Sequence, residues 1–304
     1  MDANALSSYY AALGQQGFLA GWARGEAPVP AEPKPGLIPA VWRFAEARQA
    51  LEASLSFVTP EQAERRNLIM VNPAEGNRYA TTRNIVAAYQ MIGPGERLPS
   101  HRHTPSAICL AVDTRPGAYT TVEGMRLDMV NGDVVLTPNG RWHGHGNDGG
   151  TPGYWITFLD VPLLQHMEAM FFEAHPDRFE TIAGRPAASP FRIRSGEVLA
   201  DHPECERVTI AAGEIPAIGL ELLRLGSQAR SARPRSTASS LYALIAGAVR
   251  ITQGVWEATL SPGDLVAMPA WRAHALEAGE ETVLLRVTDE PLLATLGYLR
   301  TAAD

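Results

Sequence analysis

The spacing of apolar positions divides the chain into a helical beginning and a long β-like remainder. Residues 1 to about 24 carry apolar side chains at helical spacing and predict a helix. The stretch "EAPVPAEPKPGLIP" (26–39) follows with five prolines. That content excludes regular helix or an inner strand and predicts an extended arm. A second helix is expected over 40–54. A third is expected from "TPEQAERR", with Thr59 as N-cap, Pro60 in the first helical position and Gln62 completing a capping box. From about residue 67 the texture changes. Short apolar, β-branched runs alternate with Gly, Pro, Asn and Asp turns: "NIVAAYQMI", "SAICLAV", "AYTTVEG", "DVVLTP", "GYWITFLD". This is the pattern of a β-sandwich or small barrel. The run "LLQHMEAMFFEAH" (163–175) predicts a helix. A Pro/Ala/Gly-rich stretch occupies 184–190, the β texture resumes from about 207 to 288, and "PLLATLGYLR" predicts a short closing helix.

The second half repeats the first. "NGDVVLTPNGRWHGH" lies over "PGDLVAMPAWRAHAL" at an offset of 131 residues, pairing Gly132 with Gly263, Asp133 with Asp264, Pro138 with Pro269 and His143 with His274. Gly95 meets Gly226 at the same offset. Further on, "LDVPLL" meets "TDEPLL" with two residues removed, as a shortened hairpin requires. Turns, strands and terminal helix match collinearly, which predicts two tandem β-barrels of one fold. The expected domains are 1–66 (helices and proline-rich arm), 67–180 (first barrel) and 181–304 (second barrel).

Composition narrows the function. With 304 residues and 45% hydrophobic content, the chain can bury a large core. A formal charge of -7 opposes non-specific nucleic-acid binding. No apolar run approaches the ~20 residues of a membrane span, and the N-terminus lacks the pattern of a secretory signal. The two cysteines, Cys109 and Cys205, match no metal spacing, so a cytoplasmic location is expected.

The chemistry concentrates in the first repeat. Four of the eight histidines fall within 45 residues as two H-x-H pairs, His101/His103 and His143/His145. On a strand, residues two apart share a face, here the barrel interior. Three imidazoles from two neighbouring strands can bind one face of a divalent metal, which leaves one histidine for another task. At the repeat offset His101 falls on Ala232 and His103 on Pro234, so the second barrel is expected to lack the site. His274 is then a buried or surface histidine.

The spacings Gly95-x5-His101-x-His103 and Gly132-x5-Pro138-x-Gly140-x2-His143-x3-Asn147 resemble the two cupin motifs. The usual glutamate of the first motif is missing, with Ala107 and Ile108 where it would stand. More narrowly, "HRHTPSAI", "AYTTVEG", "GDVVLTP", "WHGHGNDG" and "LDVPLL" resemble the gentisate 1,2-dioxygenase family, with its salicylate and 1-hydroxy-2-naphthoate relatives. The resemblance runs from about 36 to 297. It implies an all-β fold with flanking helices, a bicupin of two tandem jelly-roll (double-stranded β-helix) barrels with a helical N-terminal arm. It also implies Fe(II) on His101, His103 and His143, and a degenerate second barrel. His145 takes the place of the family's histidine beside the substrate, with a proton-transfer role, and Gln90 that of a pocket residue. The implied reaction is ring cleavage of an ortho-hydroxy aromatic carboxylate by O2, and the implied assembly is a homotetramer or dimer. The alternative is a cupin that binds metal and a small aromatic ligand without oxygenase turnover.

The pocket departs from the family pattern. Cys109 stands where several relatives have a carboxylate-binding arginine, Thr157 where they have an aspartate, and Val86 where a tryptophan is common. A larger or differently substituted substrate than gentisate follows. Arg83, with Arg65, Arg66 or Arg141, is a candidate for the missing cation. Trp142, Cys109 and Thr157 complete the expected substrate contacts.

Overall fold

The computed structural model describes residues 3–23, 29–59 and 66–302, which fall into a unit of residues 1–34 and a unit of residues 35–304. The first unit holds the helix Ala3–Gln15 and one 3-10 turn, Gly21–Ala23. The helix is shorter than its apolar pattern suggested, because the chain turns at Gly17 with φ of 79°. The described part of the proline-rich stretch, 29–39, contains no helix or strand. The helix expected from Thr59 falls on 60–65, outside the described residues.

The second unit is built from two similar pairs of antiparallel sheets, a bicupin with few helices. In the first barrel, Val86–Ile92, Ala107–Asp113, Val134–Thr137 and Gly153–Leu159 form one sheet. Arg97–His103, Ala118–Val122, Met125–Asp128 and His143–Asn147 form the facing one. The second barrel repeats them. His274–Ala278 stands 131 residues after His143–Asn147, and Thr282–Thr288 stands 129 after Gly153–Leu159. The hairpin between these strands is therefore shorter by two residues, as the sequence match required.

Strand periodicity explains the unbroken apolar runs. Ile108, Leu110, Leu136, Ile156 and Phe158 point out of the first barrel and pack with Leu241, Ala243, Leu265, Leu285 and Val287 of the second in one shared core. Alternate residues Cys109, Ala111, Val135 and Trp155 point into the first barrel's interior. Tyr242, Leu244, Val266 and Leu284 do the same in the second. A strand buried on both faces needs no polar alternation.

Two short strands are exchanged between the barrels. Ala40–Trp42, which precedes the first barrel in the chain, pairs with Leu265–Met268 of the second. Arg192–Ile193, which precedes the second, pairs with Val134–Thr137 of the first. Each exchange carries an arginine to the aspartate after a turn glycine: Arg43 to Asp264 at 2.8 Å and Arg192 to Asp133 at 2.6 Å. Each leads into a helix, Phe44–Ser54 or Ser195–Asp201. The helix expected over 40–54 thus begins only after this strand.

One expected helix is half wrong. Residues 163–175 form a helix only over Val161–His166, which ends as Glu168 adopts a left-handed φ of 56°. Phe172–Ala174 is instead an edge strand, paired with His101–His103 of the neighbouring strand. The closing helix is Glu290–Thr295, at the equivalent place in the second barrel.

Asp160 and Asp289 sit at the starts of these two equivalent helices and accept the backbone N–H of Ser106 and Ser239, at 2.8 and 2.7 Å. Burial pushes the Asp160 carboxyl up to about 6, against a hydrogen bond from Ser106 that favours the charged form. The folded state therefore binds a proton that the unfolded chain has already lost between about pH 4 and 6, at a cost of about 3 kcal/mol to the ionised fold. Stability from this group should rise as pH falls through 6. The Asp160→Asn protein, which keeps an oxygen for Ser106, should lose that component in urea melts across this window. An unchanged pH profile would contradict it.

Candidate metal centre

The centre forms where Arg97–His103 and His143–Asn147 run antiparallel, with a register shift between Leu98 and His101 that sets His101 directly opposite His143. The imidazoles of His101, His103 and His143 converge. Ring centroids lie 4.2 Å apart for His101–His143, 4.8 Å for His103–His143 and 5.4 Å for His101–His103. One nitrogen from each falls within 4.8 Å of the others. His145, on the same strand, stays outside this group, 6.5 Å from His143 centroid to centroid.

The backbone sets the tautomers. Nδ1 of His101 lies 3.1 Å from the Pro99 carbonyl, Nδ1 of His103 2.7 Å from that of Pro105, and Nδ1 of His143 3.0 Å from that of Arg141. A carbonyl oxygen only accepts, so each Nδ1 carries the proton and donates it. Each Nε2 then keeps its lone pair, as a metal ligand must. Three neutral nitrogen donors on one side fit a divalent transition metal with positions left open. Phe172 stacks on the His101 ring at 5.4 Å and 17°, which fixes its plane.

His145 is held differently. Its Nδ1 lies 2.9 Å from the Thr120 hydroxyl and its ring leans on Trp155 at 4.9 Å. The Trp155 indole N–H donates to Gln90 Oε1 at 2.8 Å. An indole N–H can only donate, so the Gln90 amide turns its oxygen to Trp155 and keeps its NH2 donors for another acceptor.

A cavity of about 290 Å³ opens beside the centre, with His103, Gln90, Ala88, Asn67, Tyr79, Met170 and Phe172 in its wall. Of the expected substrate contacts, Gln90 lines it. Cys109 and Thr157 do not line it; they are buried and contact each other at 3.5 Å. Arg83, the expected cation, does not line this cavity. It lines a larger neighbouring cavity of about 720 Å³ that shares Tyr79 with this one and holds none of the converging histidines. Trp142 also lies elsewhere, between Arg102 (4.6 Å from the ring centroid) and His175 (4.7 Å). Of the other arginines, Arg66 is buried against Glu96 and Arg141 grips Glu214, while Arg65 falls outside the described residues. No arginine among the described residues lines the pocket. Sequence reading missed Asn67, which pairs with Gln90 across the ladder, and Tyr79. It also missed the part played by Met170 and Phe172, which it had placed in a helix.

Two barrels with a three-histidine cluster in one of them define the chain as a bicupin with, among the described residues, a single candidate metal centre. Residues 88–161 match the cupin domain family. The chain is 30% identical to the 5-aminosalicylate 1,2-dioxygenase of Comamonas sp, over 90% of this chain and 83% of the relative. It is 29% identical to a gentisate 1,2-dioxygenase of Streptomyces sp, over 98% and 95%. The salicylate 1,2-dioxygenase of Pseudoaminobacter salicylatoxidans, solved with gentisate, superposes with a TM-score of 0.89 at 25% identity, over 99% of this chain and 94% of that one. The chain belongs to the gentisate 1,2-dioxygenase family and is an aromatic ring-cleaving dioxygenase.

Metal content tests the division between the histidines. Single alanine replacements of His101, His103 and His143 should each abolish stoichiometric metal binding, measured by atomic absorption on reconstituted protein. His145→Ala should keep its metal and lose turnover by about 10²–10⁴-fold, the usual worth of a positioned proton donor. Metal loss from His145→Ala would reverse the assignment.

Proposed function

We propose that the chain is an Fe(II)-dependent 1,2-dioxygenase that opens the ring of an ortho-hydroxy aromatic carboxylate. The observation that carries this reading is the set of three Nδ1-anchored histidines beside a cavity walled by Gln90, Asn67 and aromatic side chains. His101, His103 and His143 would hold the iron, which would supply open coordination positions and redox chemistry toward O2.

The chain's own residues do the rest. Gln90 presents amide N–H donors that suit a carboxylate or a ring hydroxyl, and Asn67 stands opposite it on the next strand. With no arginine in the described pocket wall, the substrate's negative charge is answered by the metal and by neutral amide donors. Met170 and Phe172 provide an apolar surface on which an aromatic ring can pack. His145 holds the proton inventory: with Nδ1 engaged by Thr120, its Nε2 is the atom that gives or takes a proton.

The wider setting follows the same reading. The two cysteines form no disulfide, and no described helix is long and apolar enough to cross a membrane, which suits a cytoplasmic enzyme. Phe171 and Phe172 are exposed near the pocket mouth, which suits a homo-oligomer, a tetramer or dimer, that covers them. The acidic charge gives no role to nucleic acid.

Protein loaded anaerobically with Fe(II) should consume one O2 per aromatic molecule and release a ring-opened acid, followed by oxygen electrode and mass spectrometry. The panel should span gentisate, salicylate, aminosalicylates and hydroxynaphthoates. Gln90→Leu should lower kcat/KM by about tenfold or more, the loss of one hydrogen bond of about 1.4 kcal/mol. No oxygen uptake across the panel would overturn the proposal in favour of ligand binding without turnover.

A further inference from the structure

The second barrel encloses a cavity of about 180 Å³, with Arg233, Tyr242, Arg272, His274, Arg286 and Glu290 in its wall. It occupies the place that the histidine centre holds in the first barrel. Arg233 faces His274 across the ladder as His101 faces His143. Tyr242 and Arg286 pair with each other as Cys109 and Thr157 do. A metal is excluded here by the donor set. His274 keeps the Nδ1 contact to a carbonyl, that of Arg272 at 2.9 Å, but its Nε2 lies 2.8 Å from the Tyr242 hydroxyl and accepts a hydrogen bond from it. Burial, with Arg233 and Arg286 nearby, pushes the His274 pKa down to about 4, so the ring is neutral at pH 7.

The charges in the wall do not cancel. Arg286 is paired with Glu221 at 2.9 Å and with Glu290, and Arg207 reaches Glu221 at 3.9 Å. Two carboxylates thus answer two arginines. Arg233 and Arg272 have no ion-pair partner among the described residues, and the buried Nε of each meets no hydrogen-bond acceptor. Both side chains are half-buried, and a guanidinium Nε removed from water ordinarily has an acceptor, because leaving it without one is costly.

We propose that this cavity is a binding site for a small monocarboxylate, clamped between Arg233 and Arg272. Guanidinium forks match the two oxygens of a carboxylate, and an ion bound there supplies the acceptors these groups lack. The Glu290 carboxylate in the same wall opposes a dianion, which favours a carboxylate over phosphate. The inference concerns the second barrel and stands apart from the reaction in the first.

The test is thermal melting and calorimetry of the metal-loaded protein with sodium acetate, sodium phosphate and sodium chloride at matched ionic strength. Acetate should raise Tm above the chloride control in a saturable manner, and the rise should survive removal of the metal by chelation. Arg233→Gln and Arg272→Gln should each weaken acetate binding by about tenfold or more. Without acetate these variants should melt at or above the wild-type temperature, since each removes a half-buried cation with no carboxylate partner among the described residues; this also checks that they fold. Absence of an acetate effect would overturn the proposal. So would acetate binding that persists in both variants and disappears with the metal, which would place the anion in the first barrel. Phosphate binding more tightly than acetate would overturn the carboxylate assignment.

Discussion

The strands that shape both barrels are buried on two faces at once, and the rest of the structure follows from that constraint. One face of each large sheet packs against the other barrel; the opposite face lines its own barrel. The two faces have different freedom. Outward positions keep their apolar type between the repeats: Ile108 and Leu241, Leu110 and Ala243, Leu136 and Ala267, Ile156 and Leu285, Phe158 and Val287. Several inward positions around the cavity do not: Cys109 becomes Tyr242, Thr157 becomes Arg286 and Gln90 becomes Leu223. Outward side chains must fit a shared core packed at crystal density, where volume changes cost stability. Inward side chains border a cavity and can exchange chemistry without disturbing that core.

The same constraint positions the histidines. Since the outer face of the barrel pair carries the stability, the inner faces of Arg97–His103 and His143–Asn147 are free to carry polar rings. Backbone carbonyls of Pro99, Pro105 and Arg141 then settle which nitrogen of each ring faces inward. Two of these carbonyls belong to prolines, which have no N–H to offer the sheet, so the chain there is already committed to irregular pairing.

Much of this was legible in the sequence, and the reasons for the misses are physical. The strands, the repeat and the shortened hairpin showed because apolar runs between turn residues respond to local rules. The histidine pairs showed because a period of two maps directly onto one face of a strand. Phe172–Ala174 was hidden because "MEAMFFEA" has helical periodicity, while its edge pairing with Arg97–His103 is a tertiary fact. Arg83 was misplaced because nothing in sequence spacing tells on which side of Tyr79 it lies. The partner of His274 was hidden by a register shift. The linear offset lays Ala232 over His101, but the irregular pairing after Leu98 makes Arg233 its structural counterpart.

That shift also bears on why the repeats differ in the sign of charge they hold. A cation centre of this kind needs three convergent donors. In the second barrel Arg233 stands where His101 does, and two residues further on Arg235 stands where His103 does. Neither guanidinium has a lone pair to give a metal, so two of the three ligands are lost. With a tripod impossible, Arg233 in the place of His101 and Arg272 in the place of Arg141 bring two guanidinium groups to the wall where the first barrel gathers imidazoles. The framework that holds three imidazoles in one barrel therefore supports an arginine clamp in the other, with the shared core between them unchanged.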